Sequence, residues 1–208
     1  MNKREIRKKI LAVRDAIPVA DRTLFDKKIR EIVTGMEEYR EAEAILAYVS
    51  YKSEVDTLML IRQALADGKY VFAPRVTGNE MEFWQITAME DLQEGYRGIR
   101  EPVQGVAFPD WIKSHICKVM MWMPGVVFDR ERHRIGYGGG FYDKYLTRLL
   151  QQSVQTASED QTRKQSGCFV LTTAALAYSC QVLKQIPCEE HDVKPDLLIT
   201  ELGIVRNL

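Results

Sequence analysis

The first part of the chain has the apolar spacing of two helices. Four aliphatic residues recur at helical spacing, namely Ile6, Ile10, Val13 and Ile17. At about 100° per residue they form a stripe roughly 60° wide, which predicts a helix over residues 3–17, stopped by Pro18. A second helix is expected over residues 20–33, ended by Gly35.

From residue 45 onward, short apolar runs alternate with polar segments, which is typical of strands buried on both faces of a sheet. Strands are predicted at residues 45–49, 70–73, 81–86, 117–123, within 168–178 and at 196–200, with an edge hairpin at 203–206. A helix that we expect Thr57 to cap and Gly68 to end lies between the first two strands, which makes a βαβ unit. Pro74 is expected to stop the second strand of that unit.

This order predicts a Rossmann-like α/β fold: a single three-layer domain over residues 1–208 with a largely parallel sheet and helices on both faces.

Three stretches show no clear hydrophobic period. Residues 88–115 are expected to be irregular, residues 126–140 to form a loop before a helix at 140–150, and residues 151–167 to form an exposed loop without a chemical role.

Composition narrows the classes of function. Among 208 residues, 46% are hydrophobic and 28% charged, which excludes a disordered chain, and no apolar run approaches the ~18 residues of a membrane span. Lys and Arg together number 29, as do Asp and Glu together, so the formal net charge is zero. A strongly basic surface of the kind that binds nucleic acid is therefore not expected over the whole chain. The balance is uneven, however, because residues 1–30 carry ten basic and four acidic side chains and residues 127–150 carry five and three. A small anion held between these two segments would fit that layout.

The cations of the first helix are arranged around its apolar stripe. Lys3, Arg7 and Arg14 fall within about 40° of one another beside the stripe, whereas Arg4, Lys8 and Lys9 lie farther round. Cations that border a buried face can reach into a cleft. The alternative is that all of them are solvated, or that their stems cover the core.

The amino-terminal residues and the cysteines favour a cytoplasmic protein. The basic start lacks the apolar region of a secretory signal, and Glu5 and Asp15 argue against a transit peptide. The four cysteines, Cys117, Cys168, Cys180 and Cys188, show no paired spacing, so we expect reduced thiols. A zinc cluster of Cys180, Cys188 and His191 is disfavoured because its spacing is unlike that of structural zinc sites.

The most informative stretch is residues 130–143, which follows a predicted strand and opens a helix. Four of the 13 glycines of the chain fall within five residues, at Gly136, Gly138, Gly139 and Gly140. Glycine lets a ligand approach the backbone closely, and the amides at the start of a helix favour phosphate. Arg134 would add a guanidinium group that can donate two parallel hydrogen bonds. The sequence after Gly140 fits neither a Walker A loop nor the dinucleotide fingerprint, so the pattern indicates a phosphate site of unassigned type. The alternative is a tight turn that merely needs glycine.

Two aspartates are candidate metal ligands. Asp143 would lie in the first turn of the helix beside bound phosphate, where a carboxylate repels the ligand unless a cation such as Mg²⁺ intervenes. The alternative role for Asp143 is to stabilise the helix dipole. Asp192 comes shortly before the last strand. The sequence pattern alone favours a solvent-exposed carboxylate in a loop there.

Beyond these patterns, the chain resembles the 5-formyltetrahydrofolate cyclo-ligase (5,10-methenyltetrahydrofolate synthetase) family over nearly its whole length. The matching segments are residues 3–7, 50–57, 98–102, 123–125, 134–143, 176–178 and 190–193. The most specific of them is the glycine loop followed by Phe141, Tyr142 and Asp143.

The resemblance implies ATP-dependent closure of 5-formyltetrahydrofolate to 5,10-methenyltetrahydrofolate, with release of ADP and phosphate. In this family the formyl oxygen is thought to attack the γ-phosphate of ATP. The N10 atom of the folate then attacks the formyl carbon, and phosphate leaves. No protein nucleophile is needed, and positioning and charge neutralisation carry the catalysis.

The resemblance also assigns roles to residues. Positions that match the family's ATP site are Lys3, Arg4, Arg7, Arg134, Ile135, Gly136, Tyr137, Gly138, Gly139, Gly140, Phe141 and Tyr142. Its Mg²⁺ positions match Asp143 and Asp192, and its folate positions match Tyr51 and Asp56, with Glu54 close by. Catalytic roles are expected for Arg134, Tyr142 and Asp143. Asp56 has the alternative role of a helix cap, and Trp84 either lines the folate pocket or packs in the core.

One departure is Tyr137, which stands where many members of the family have arginine, so that Arg132 or Arg134 would have to compensate. Small-molecule partners, a monomer, and no nucleic-acid or membrane partner are expected. Two other classes compete with the enzyme: a non-catalytic phospholigand-binding regulatory protein on the same fold, and an RNA-binding module that uses the first helix. The RNA-binding reading is weak, because residues 1–30 contain a single aromatic residue, Phe25.

Overall fold

The structure, a computed structural model, describes residues 2–95, 98–158, 169–189 and 192–205, and for residues 152–158 it describes the backbone alone. The described residues form helices α1 (Lys3–Asp15), α2 (Val19–Gly35), α3 (Glu37–Glu41), α4 (Leu58–Ala66), α5 (Phe108–Ile112) and α6 (Phe141–Ser158). None of these helices is long and apolar enough to cross a membrane.

Twelve strands accompany these helices in the described ranges. They are β1 (Ala44–Ala47), β2 (Tyr70–Thr77), β3 (Glu80–Ile86), β4 (Leu92–Glu94), β5 (Arg100–Pro102), β6 (Cys117–Met123), β7 (Val127–Asp129), β8 (Arg134–Ile135), β9 (Phe169–Leu176), β10 (Val182–Leu183), β11 (Leu197–Thr200) and β12 (Gly203–Val205). Seven form one sheet in the order β12-β11-β9-β6-β1-β2-β3. The five inner strands are parallel, and β3 and β12 are antiparallel edges. This confirms the expected α/β fold with a largely parallel sheet.

Helices cover both faces of the sheet, as predicted. Alternate residues of a strand point to opposite faces, so Ile45 of β1 packs into one core and its neighbour Leu46 into the other. On the Ile45 side the core is closed by α2, α3 and α4. On the Leu46 side α5 and α6 close it, contributing Trp111 and Leu146.

A separate small cluster holds α1 against the hairpin β7–β8. Ile6 and Ile10 of α1 pack with Val127 of β7 and Ile135 of β8. Since β8 leads directly into the glycine loop, this packing brings the basic edge of α1 to the loop. The three-stranded sheet β10-β7-β8 extends the same support.

The hairpin corrects the prediction of an unstructured loop over residues 126–140. The carboxylate of Asp129 accepts hydrogen bonds from the backbone amides of Glu131 and His133, each at 3.0 Å. Arg132 adopts a positive φ of 65°, which lets the chain reverse. Strands of three and two residues around a charged turn are too short to show an apolar period, which is why the pattern concealed them.

Three further expectations differ from the structure. Pro74 does not end β2. Because β1 stops at Ala47, β2 pairs only with β3 beyond that point. The proline, which has no N–H, therefore interrupts no hydrogen bond between strands. Residues 151–158 continue α6 rather than forming a loop, and residues 159–167 lie outside the described residues. The irregular segment 88–115 contains β4, β5 and α5.

The buried stripe of α1 also differs. The helix ends at Asp15, and Val13 is 43% exposed, whereas Arg14 is only 3% exposed. The stripe therefore runs through Ile6, Ile10 and Arg14, each four residues apart. Arg14 can be buried because its guanidinium finds polar partners in the segment that follows β1.

Candidate functional site

The strand order places a topological switch point between β1 and β6. From β1 the chain crosses to β2 on one side, whereas from β6 it crosses to β9 and β11 on the other. In open parallel sheets, the crevice outside the carboxyl ends of the two strands at such a point is the usual ligand site. Here the loops at that edge are residues 48–57, after β1, and the segment after β6 that leads through the β7–β8 hairpin to the glycine loop.

A narrow pocket, too small to hold a water molecule, lies between these loops. Its lining includes Arg14 of α1, Glu54 from the loop after β1, and Pro124 from the loop after β6. Gln181, which is 1% exposed, donates from its amide nitrogen to the carbonyls of Gly125 and Val126 at 3.0 and 3.1 Å. These bonds hold the start of the second loop in place.

The glycine loop turns sharply into α6. Gly138 and Gly140 have φ values of +102° and +64°, conformations that side-chain-bearing residues rarely adopt. The carbonyl of Gly140 accepts from the amide of Lys144 at 3.0 Å, so the helix begins at the loop. The first amides of a helix lack intrahelical acceptors and favour an anion there.

The basic edge of α1 meets this loop as predicted. Arg7 donates from Nε to the carbonyl oxygen of Gly136 at 2.7 Å, and a Cβ on Gly138 would lie 3.8 Å from its Nη2. Arg4, in contrast, is exposed and lies about 100° round the helix from Lys3. The edge that faces the loop is therefore formed by Lys3 and Arg7.

Lys3 reaches the segment before β11. Its Nζ lies 2.8 Å from Oδ2 of Asp192 and 2.9 Å from Oε1 of Glu189. Burial alone would lower the pKa of Lys3, but the hydrogen bonds to these two carboxylates outweigh it and raise the pKa. Lys3 is thus charged and held beside one of the two candidate metal ligands.

Arg134 lies at the base of the loop and pairs with Asp143. Its Nη2 donates to Oδ1 of Asp143 at 2.7 Å, and its Nη1 donates to the carbonyl oxygen of Pro124 at 3.3 Å. Within the described residues, the buried Nε of Arg134 has no hydrogen-bond partner. An unsatisfied buried guanidinium nitrogen is costly, and one beside a phosphate-type loop is consistent with a ligand acceptor there.

One candidate metal ligand, Asp143, contacts the chain segment that carries the other, Asp192. Oδ1 of Asp143 also accepts from the amide of Val193 at 3.2 Å, next to Asp192 in the chain. No group of three or more His, Cys, Asp or Glu side chains suited to a metal occurs in the described parts of the chain. Mg²⁺ commonly takes one or two carboxylates plus substrate phosphates, so the pair fits a metal that arrives with nucleotide.

The three candidate folate residues lie on the loop after β1. Oε2 of Glu54 accepts from the amide of Tyr51 at 2.8 Å. Burial raises the pKa of Glu54. The interaction with the Tyr137 hydroxyl, the hydrogen bond from the amide of Tyr51 and the charge of Arg14 each lower it, but burial outweighs them. A half-buried carboxyl at the pocket wall can accept hydrogen bonds from a ligand with N–H donors.

Asp56 has the role of a cap. Its Oδ1 accepts from the amide of Leu58, the first residue of α4, at 2.8 Å. The expected cap, Thr57, is buried instead and donates from its hydroxyl to the carbonyl of Tyr48 at 2.7 Å. Thr57 thus occupies the N-cap position of α4 as predicted, but its side chain makes no capping bond because its hydroxyl is used to close the loop.

Tyr142 joins the two cores just beyond the glycines. It packs against both, with its ring 6.2 Å from that of Phe83. Burial, with the nearby charge of Glu54, raises the pKa of Tyr142, so it is a neutral phenol at physiological pH. Its neighbour Phe141 packs against the α6 side, and Ile135 is buried under α1.

Arg14, Ser53 and Gln181 also lie at this edge of the sheet, although the sequence pattern predicted no site role for them. Arg14 was grouped with Lys3 and Arg7 by its helical angle, and that angle was the signal for its inward direction. Trp84, for which a folate contact and core packing were both considered, is half-buried with the guanidinium of Arg75 5.7 Å from its ring centroid.

Cys117, Cys180 and Cys188 are free thiols, while Cys168 and His191 lie outside the described residues.

Known proteins resemble this chain along most of its length. The chain is 27% identical over 205 residues to "5-formyltetrahydrofolate cyclo-ligase" of Mus musculus, covering 96% of this chain and 93% of that protein. It is 30% identical over 218 residues to "5-formyltetrahydrofolate cyclo-ligase, mitochondrial" of Arabidopsis thaliana, covering 98% and 75% of the two chains.

A solved structure supports the same assignment. The NMR structure of 5,10-methenyltetrahydrofolate synthetase from Aquifex aeolicus superposes with a TM-score of 0.78 at 28% identity, covering 99% of this chain and 93% of that one. The sequence model of the 5-formyltetrahydrofolate cyclo-ligase family matches residues 1–201. With its switch-point crevice, its glycine loop and these matches, the chain belongs to the 5-formyltetrahydrofolate cyclo-ligase family.

Proposed function

We propose that this chain closes the ring of 5-formyltetrahydrofolate to give 5,10-methenyltetrahydrofolate, using ATP with Mg²⁺ and releasing ADP and phosphate. Its membership of the cyclo-ligase family supports the reaction. The observation that carries the proposal is the convergence at one edge of the sheet of Arg7, the glycine loop and Glu54. A candidate phosphate site and a candidate site for N–H donors would then lie side by side.

The nucleotide side of the site is built from amides and fixed cations. Arg7 contacts the glycine loop, Arg134 pairs with Asp143 just after it, and Lys3 pairs with Asp192, so all three cations are already held by hydrogen bonds. Charges that are positioned before the substrate arrives need little reorganisation when phosphoryl transfer spreads negative charge over oxygen atoms. Arg4 contributes to the field from the exposed side of α1, and Gly138, Gly139 and Gly140 let the phosphates approach the backbone.

Asp143 and Asp192 would hold Mg²⁺. When bound there with ATP, the ion supplies positive charge that offsets the phosphates. In the structure, Asp143 is paired with Arg134 and Asp192 with Lys3. Nucleotide with its metal provides phosphate partners for the cations and a cation for the carboxylates, so the two ion pairs can be exchanged without leaving an unpaired charge.

On the other side of the pocket, Glu54 and Tyr51 would contact the pterin. The carboxylate of Glu54 can accept hydrogen bonds from the N–H edge of that ring, while Asp56 sets the direction of the loop through its cap on α4. Tyr142 is a neutral phenol, buried near Glu54, and can donate a hydrogen bond to a substrate oxygen. Holding the formyl oxygen against the γ-phosphate is then mainly a matter of positioning.

The test is turnover by the purified full-length chain. It is incubated with 5-formyltetrahydrofolate and ATP, with and without Mg²⁺, and methenyl product is followed by absorbance while ADP is quantified. We expect one ADP per product and loss of turnover without Mg²⁺. Folded protein that binds ATP but forms no product would overturn the enzyme assignment and favour a regulatory phospholigand-binding protein.

We further propose that the chain works as a single-domain monomer over residues 1–208, in the cytoplasm, on small molecules and without a nucleic-acid or membrane partner. The even charge balance supports the exclusion of nucleic acid. Light scattering coupled to gel filtration tests the monomer. Because one relative carries a mitochondrial name, imaging of a tagged chain in its own cells is the test of compartment.

A further inference from the structure

Tyr137 belongs to the glycine loop, yet its side chain reaches the folate segment. Its backbone lies between Gly136, which Arg7 contacts, and Gly138. Its ring centroid lies 5.8 Å from the guanidinium carbon of Arg14, which lines the same pocket as Glu54, and its hydroxyl interacts electrostatically with both charged groups. One residue therefore links the candidate nucleotide loop to the candidate folate loop.

The partners of Tyr137 are themselves fixed. Arg14 is 3% exposed, and its guanidinium carbon lies 5.8 Å from the centroid of the Tyr137 ring. Its Nε donates to the hydroxyl of Ser53 at 3.0 Å, and that hydroxyl donates to Asp15. The cation at the centre of this network is therefore anchored to α1 and to the loop after β1.

Glu54 is held from two directions. The amide of Tyr51 fixes Oε2 at 2.8 Å from within its own loop, and the hydroxyl of Tyr137 approaches the carboxylate from the glycine loop. Burial disfavours the charged form of Glu54, so the interaction with the Tyr137 hydroxyl is one of the contacts that keep this carboxylate available as an acceptor. If Tyr137 moves, Glu54 loses a contact that orients it.

We propose that Tyr137 is a positioning residue that couples the two substrate sites, so that nucleotide bound at the glycine loop strengthens binding of 5-formyltetrahydrofolate, and the reverse. This rests on the proposed function. Ordering a loop with four glycines costs conformational entropy, and a ligand that orders it also holds Tyr137 against Glu54. The second ligand then meets a carboxylate that is already oriented, which is a positive coupling and must be reciprocal.

Binding calorimetry on the full chain measures this coupling. The Kd of 5-formyltetrahydrofolate is determined alone and with saturating Mg²⁺ and β,γ-imido-ATP, which cannot transfer its γ-phosphate. For the unmodified chain we expect the nucleotide analogue to tighten folate binding by about fivefold or more. In Tyr137→Phe, which lacks only the hydroxyl, we expect the ratio of the two Kd values to fall to within about twofold of one.

Tyr39→Phe is the matched control. Its hydroxyl also donates to a carboxylate, that of Asp67 at 2.6 Å, but it lies near the amino ends of the strands, away from the crevice. We expect this variant to keep the coupling of the unmodified chain. A Tyr137→Phe chain that keeps full coupling, or an unmodified chain without coupling, would overturn the proposal.

Steady-state kinetics separate this proposal from the proposed function. With both substrates varied, Tyr137→Phe should lose the dependence of the folate KM on ATP concentration while kcat falls by less than about tenfold. A chain with normal turnover and coupling unchanged by Tyr137→Phe refutes the coupling alone. An unmodified folded chain with no turnover refutes the proposed function, and the coupling proposal falls with it.

Discussion

Asp143 accepts a 2.7 Å hydrogen bond from the guanidinium of Arg134, nine residues earlier, so a single ion pair closes the base of the glycine loop. The same carboxylate oxygen accepts from the amide of Val193, in the segment that leads to β11. Asp143 is therefore tied to two chain segments at once. Its charge and its hydrogen-bonding capacity can be separated by substitution with asparagine.

Asp143→Asn should impair turnover far more than folding. The amide oxygen of asparagine can still accept from Arg134 and Val193, so we expect a loss of about 1 kcal/mol in the free energy of unfolding. The charge that would hold Mg²⁺ is removed, so kcat/KM should fall by about 100-fold. Asp110→Asn is the control, because Asp110 is also in a helix's first turn and pairs with a cation, Lys113. Full activity of Asp143→Asn would show that Asp143 is not a metal ligand.

Lys3→Met should raise the KM for ATP. Lys3 lies on the edge of α1 that faces the site, and its removal deletes one cation from the phosphate environment. We expect an increase of about five- to tenfold, smaller at high ionic strength because salt screens the remaining charges. Lys8→Met, on an exposed part of the same helix, should leave the KM unchanged. Equal effects of the two changes would mean that only the overall charge of α1 matters.

Glu54→Gln should alter how stability depends on pH. The folded chain raises the pKa of Glu54 above its ordinary value of 4.5, mainly by burial. Its contribution to stability is therefore fully present below pH 4.5 and is lost as the pH rises through the folded pKa. Relative to the unmodified chain, Glu54→Gln should become progressively more stable from pH 4 to pH 7. Urea unfolding at several pH values measures this difference, and a constant difference would refute the raised pKa.

The turn between β7 and β8 offers a test of backbone strain. Arg132 has a φ of 65° and donates from Nε to the carbonyl of Pro195 at 2.9 Å. Alanine and glycine both remove that bond, but only glycine relieves the positive φ. We therefore expect Arg132→Gly to be more stable to urea than Arg132→Ala by about 1 kcal/mol. The opposite order would indicate that the turn relaxes when the side chain is removed.

Much of the fold follows from local patterns. The apolar runs at β1, β2 and β6 are buried on both faces and therefore uninterrupted, and the helix between β1 and β2 was visible from Leu58, Ile61 and Leu65. The glycine loop and the basic edge of α1 were likewise visible. Short elements with no apolar period, such as α3 and the β7–β8 hairpin, were missed.

The contacts within the site depend on chain segments far apart in the sequence. No local pattern shows that Lys3 meets Asp192, or that Tyr137 meets Glu54, because these pairs are created by strand order. The burial of Arg14 instead of Val13 has the same origin, since its acceptor, Ser53, belongs to another element. The resemblance to a family identified most of the candidate site residues. The structure then showed which other side chains and backbone groups these residues contact.

The pairing of Lys3 with Asp192 and of Arg134 with Asp143 bears on which anions the crevice selects. To bind Lys3 Nζ or Arg134 Nη2, a simple anion such as inorganic phosphate would have to compete with Asp192 or Asp143 and would leave that carboxylate facing negative charge. A metal-bound triphosphate brings a new partner for every group that it separates. Under the proposed function, the two aspartates would therefore disfavour product phosphate and metal-free nucleotide relative to metal-bound ATP.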